Sequence, residues 1–169
     1  MTIDIPVFGS TDGLLMALFR DFFAGQQIQI GTLYTEGMNT PALIASRERR
    51  SGNGEGRAGD DRFLEPVVIS VNTLTSGLEA MRDGADLQEM CRVALRQAQL
   101  TQKVFPGLGH ISVIENSTAP SRVSDWATST GVVQYATLPK GVVRFESVYR
   151  LLIRPPALGS VNNRFRPLH

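Results

Sequence analysis

Cysteine is nearly missing from this chain: Cys91 is the one such residue among 169. An intrachain disulfide framework is therefore excluded, as is any zinc or iron–sulfur site built from cysteines, and a reducing cytosolic setting is the simplest expectation. Histidine is scarce too, with only His110 and His169. No run of about 18 apolar residues occurs, so no membrane-spanning helix is expected. The first residues, MTIDIPVFGS, carry an acid where a secretion signal has a basic segment, so no signal peptide is expected. The formal net charge is +1, which gives no general attraction to nucleic acid or to a membrane surface; basic surface, if present, is local.

What is present is ordinary globular material, 42% hydrophobic and 20% charged, with 16 glycines and 9 prolines that point to long loops. A chain of this length buries about two-thirds of its unfolded surface in one core. Ser10 or Thr11 offers an N-cap for a helix carrying Leu14, Leu15, Leu18, Phe19, Phe22 and Phe23 at helical spacing, stopped by Gly25. QQIQIGTLY alternates as a strand does, and PALIASRER reads as a second strand, paired with the first as a hairpin. RERRSGNGEGRAGDD is too polar and glycine-rich for core and reads as a mobile loop, about residues 48–61, leading to the β-branched strand PVVISVNTL. A second helix is expected to open at Gly84 and Asp86, with Leu87, Met90, Cys91, Ala94, Leu95 and Ala98 on its apolar face and Gln88, Arg92, Arg96 and Gln99 on its polar one. LGHISVIEN follows as a strand with His110 near its edge. VVQYATL then forms a hairpin with the last strand across Pro139–Gly141. The expectation is one α+β domain over residues 1–154, with a mostly antiparallel sheet, two main helices on one face, and a C-terminal extension over 155–169.

The last strand, VRFESVYRLLIR, has two unlike faces. Val143, Phe145, Tyr149, Leu151 and Ile153 form an apolar stripe that requires a core, while Arg144, Glu146, Val148, Arg150, Leu152 and Arg154 form a mixed stripe. Val148 and Leu152 are apolar surface that a purely solvated face does not need, so this side is expected to meet a polar partner or another subunit. The plainer alternative is that Arg144 and Glu146 pair with a neighbouring strand on a wet sheet.

Signs of chemistry are few. Nucleophile elbow, HExxH and EF-hand patterns are lacking, and GNGEGRAGDD lacks the Gly-Lys-Ser/Thr ending of a phosphate loop and precedes a strand instead of a helix. Asp60, Asp61 and Glu65 have no further oxygen-rich positions beside them to complete a cation site. Arg47, Arg49, Arg50 and Arg57 are offset by Glu48, Glu55, Asp60 and Asp61, with no interleaved aromatic to stack on bases, so protein contacts are the better reading of the loop. Cys91, on an apolar helix face, reads as a small buried thiol, and His110 as a satisfied or exposed side chain. No catalytic residue, metal site or cofactor is expected.

In order and spacing, the N-terminal amphipathic helix, the stretch PALIASRERRSGNGEGRAGDDRFLEPVVISVNTLT, the helix DLQEMCRVALRQAQ and the closing VVRFESVYRLLIRPP resemble the tail terminator (tail completion) proteins of long-tailed bacteriophages, especially those of actinobacteria. The likeness runs over about residues 3–155. It implies a non-enzymatic virion protein that is assembled in the host cytoplasm and located where head meets tail. Its partners would be five further copies in a hexameric ring, the major tail (tube) protein, a head-to-tail connector or stopper protein, and genomic DNA passing through the lumen without sequence-specific binding. The candidate contact residues are Arg47, Arg49, Arg50, Arg57, Arg144, Glu146, Val148, Arg150, Leu152, Arg154, Arg164, Phe165 and Arg166. The loop at 51–59, the insertion at 117–131 and the extension after Pro155 depart from the shorter members, which leaves a neighbouring neck connector or minor tail protein as the alternative. A nucleic-acid-binding accessory module is a further reading.

Overall fold

A computed structural model describes residues 9–35, 37–48, 64–123 and 140–156. Helix α1 (Thr11–Phe22) is capped by Ser10, whose side chain accepts from the Gly13 N–H at 3.1 Å, and the chain turns out of it at Gly25 with φ +83°. The remaining elements follow as β1 (Gln29–Gly31), β2 (Ala42–Arg47), β3 (Glu65–Ser76), α2 (Ala80–Thr101), β4 (His110–Ser117), β5 (Ser121–Arg122) and β6 (Val142–Arg154). They form an α+β fold with a six-stranded mixed sheet, ordered β1-β2-β3-β6-β4, with β5 also on β6.

Pairing is antiparallel except at one edge. β1 and β2 run parallel, so the expected hairpin between them is not formed. The ten residues between the strands allow the chain to return to the same end of the sheet, and Tyr34 and Met38 from this connection pack over Ala42, Ile44 and Leu74. The candidate strand VVQYATL lies outside the described residues. β3 and β6 pair along their length, from Glu65 opposite Ile153 to Ser76 opposite Val142, and make the spine of the fold.

Both helices pack on the same face of that spine. Leu14, Leu15, Leu18 and Phe19 of α1 and Leu87, Cys91, Ala94, Leu95 and Ala98 of α2 share one core with Val67, Ile69, Val71, Tyr149, Leu151 and Ile153. The odd positions of β6 therefore build the subunit, as period-two alternation requires.

α2 begins at Ala80, one turn before the expected start at Gly84. Gly84 lies inside the helix because the sheet comes very close there: a Cβ would sit 2.7 Å from the Phe145 ring and 2.9 Å from Thr75 Oγ1. Gln88 also departs from expectation. It is fully buried, with Nε2 donating to the carbonyls of Val71 (2.9 Å) and Phe145 (3.0 Å) and Oε1 accepting from Ser147 Oγ (2.8 Å). These bonds fix the helix over the β3–β6 seam, helped by Thr73 and Thr75, whose hydroxyls donate to the carbonyls of Gly84 and Ala80.

Candidate subunit-interface surface

The even face of β6 divides into an inner and an outer part. At the inner end the Arg144 side chain is 0% exposed, and its guanidinium donates through Nε to Asn72 Oδ1 at 2.7 Å and through one terminal nitrogen to Glu146 Oε1 at 3.1 Å. Asn72 lies opposite Glu146 on β3, and Leu74 opposite Arg144, so the three polar groups meet on the sheet face away from the helices. Arg144 and Glu146 are thus internal to the subunit, which corrects the expectation that they stand on its periphery. Alternation assigned them to the right face but not the cover over that face. Burial of such a pair is tolerated when the charges are matched, as the Arg144–Glu146 pair is here, while Asn72 Nδ2 is buried without a hydrogen-bond partner among the described residues.

Further along, Val148 is half-buried and Leu152 buried. Arg150 is partly exposed and pairs through Nε with Glu115 of β4 at 2.8 Å. Arg154, at the end of the strand, is exposed beside His110. On the neighbouring edge Arg47 pairs with Glu65 at 2.7 Å, and its backbone N–H donates to Asp12 Oδ1 at 2.8 Å. Arg47 thus ties β2 to β3 and to the first turn of α1, so its charge is largely offset within the chain. Arg49, Arg50, Arg57, Arg164, Phe165 and Arg166 lie outside the described residues.

Burial pushes the Cys91 thiol far above its usual range, which keeps it protonated and unreactive. His110 is lowered from its ordinary value by partial burial and by the nearby Arg154 cation. Burial also raises Tyr149. Among the described residues no three His, Cys, Asp or Glu side chains gather as metal ligands do.

Sequence reasoning missed a different surface. Leu78, Met81, Val93, Leu100 and Val104 are five of the six large apolar side chains exposed among the described residues, and all five lie along α2 or just beyond its ends. Val93 and Leu100, the latter 76% exposed, are seven residues apart and so share one side of the helix, turned away from the core. The signal was present in the sequence, because neither position falls on the stripe of Leu87, Cys91, Ala94, Leu95 and Ala98. Charged neighbours on the same side, including the Glu89–Arg92 pair at 2.5 Å, keep the surface amphipathic. Such an arrangement suits protein contact, since apolar side chains rimmed by polar ones are what a partner covers. No protein-family model matches the chain, and no curated protein does so.

Proposed function

We propose that this chain is a non-enzymatic structural subunit of a long-tailed bacteriophage, a tail terminator that forms a hexameric ring on the last ring of the tail tube and presents the surface that joins the head. Val93 and Leu100, exposed together on the outer side of α2, carry the reading, because a neighbouring copy packed there would bury an apolar surface that a lone subunit leaves in water. The fold is compatible with it: the order α–β–β–β–α–β–β–β, with both helices on one sheet face, keeps the succession of helix, strand, loop, strand, helix and closing strand on which the sequence resemblance rests.

In this reading the inner half of the even β6 face belongs to the subunit, and the contacts between copies move to the outer side of α2 and to the ends of the sheet. Mixing the purified chain with tail tubes tests it by electron microscopy: density should appear at one tube end and stop further growth. Val93→Glu with Leu100→Glu changes only exposed positions, so the chain should fold and fail to cap. Capping that survives this double change would remove the observation on which the proposal stands.

A further inference from the structure

A cavity of about 290 Å³ lies where the N-terminal half of α2 crosses the β2–β3 end of the sheet. Ile28, Pro41, Leu87 and Met90 form an apolar lining, and Asp83 and Asp86 bring two carboxylates to the same cavity. The nearby hydroxyls of Thr40 and Ser76 are bonded to each other, so the polar capacity of the site rests on the two aspartates. Asp83 is only loosely shared with Arg82, at 3.8 Å, and the firmer partner of Arg82 is Glu79 at 2.5 Å. An apolar pocket with acid beside it fits a segment that presents an aromatic or aliphatic group flanked by cations.

The chain contains one such segment near its C-terminus, Arg164-Phe165-Arg166, in the thirteen residues that follow Pro156. It departs from the far end of the fold. Arg154 pairs with His110, and Gly109 packs against the backbone of Arg154 and Pro155, whereas the cavity is lined by Thr75 and Ser76, opposite Val143 and Val142. The length of β6 between the two is about 40 Å at the usual strand rise. The ten residues from Arg154 to Arg164 reach about 35 Å only when fully straight, whereas a flexible chain of that length averages about 18 Å end to end, so docking in the chain's own cavity would demand near-complete extension and docking in a neighbouring copy would not.

We infer that this cavity receives the Arg164-Phe165-Arg166 segment of a second copy, with Phe165 on the apolar lining and the arginines against Asp83 and Asp86. The contact joins one end of a subunit to the opposite end of the next and is therefore heterologous, the kind that closes into rings. The inference rests on the ring reading above for its biological setting, while its chemistry is testable apart from it.

The test is sedimentation velocity of the full-length chain with two charge reversals, Asp83→Lys with Asp86→Lys and Arg164→Glu with Arg166→Glu, made separately and together. Each pair alone should weaken self-association at least about tenfold, and the combination should restore it to within about threefold. Circular dichroism checks folding, and Asp83→Asn with Asp86→Asn replaces the lysine pair if that variant unfolds. In parallel, a labelled peptide of residues 157–169 is titrated onto the Arg164→Glu, Arg166→Glu chain, where it should bind, and onto the aspartate variants, where it should not. Rings that form equally well in every variant would overturn the docking and leave the ring reading standing. A wild-type chain that stays monomeric would count against the ring, and the peptide then decides the docking: no binding up to about 1 mM overturns it.

Discussion

Replacing Arg144 with alanine removes the centre of the buried polar group on the far face of the sheet. The side chain is 0% exposed and that of Glu146 is 9% exposed, so solvent screens their interaction little. The substitution deletes the 2.7 Å bond to Asn72 and the 3.1 Å pair with Glu146, and leaves that carboxylate in a site built around a cation. Breaking a buried pair from one side costs about 3–5 kcal/mol, and the space left by the side chain adds to this. For a chain of this size that is a fall in melting temperature of about 6–20 °C. Calorimetry or urea unfolding of the purified variant measures it. A companion triple change, Asn72→Leu with Arg144→Met and Glu146→Leu, removes these three polar groups together and should lose less than the single change, because the Glu146 carboxylate is no longer left buried without the Arg144 cation. A loss below about 1 kcal/mol for Arg144→Ala would refute the reasoning, since that is the value of an exposed pair on a wet sheet.

Gly84→Ala should cost about 1–3 kcal/mol by forcing Phe145 and Thr75 away from α2, measurable by urea unfolding, whereas alanine inside an unobstructed helix would stabilise. Because burial raises Cys91 in the folded state, the protein keeps that proton where the unfolded chain loses it, so stability should decline as pH rises above about 8.5, and Cys91→Ala should flatten the decline in pH-dependent melting. The same thiol should react with a disulfide reagent only at the unfolding rate. His110 is shifted the other way: its folded form releases the proton more readily, so its contribution is present above about pH 6.5 and is lost on acidification, and His110→Gln should reduce the acid-side slope of the same melting curves.

Where one local rule decides an element, the sequence was readable. Ser10 caps α1, the spacing of Leu14, Leu15, Leu18 and Phe19 sets its buried face, and alternation along β6 sends Tyr149, Leu151 and Ile153 to the helices. Where tertiary contact decides, local reading failed. Gly84 looked like the opening of a helix because glycine is a poor interior residue, but its missing Cβ is what admits the Phe145 ring. Gln88 looked polar and outward, yet it comes four residues after Gly84 and seven before Leu95, and three hydrogen bonds to the sheet stabilise it inside. The three-residue β1 gives too little pattern to choose between parallel and antiparallel pairing, and the packing of Tyr34 and Met38 decides it. At the candidate interface, period two placed Arg144 and Glu146 on the correct face, but burial there depends on Asn72, more than 70 residues away in sequence. Val93 and Leu100 are seven residues apart and off the core stripe, which is readable in the sequence, but a scattered apolar residue on a helix is common, and the exposure of both is set by the fold.

Native mass spectrometry of the full-length chain, alone and after mixing with tail tubes, bears most directly on whether this subunit is built to be surrounded by its own copies. A sixfold multiple of the 18.5 kDa chain is the expected species, lost when Val93 and Leu100 are both changed to glutamate. A single 18.5 kDa species at every concentration, with tubes as without them, would contradict the account.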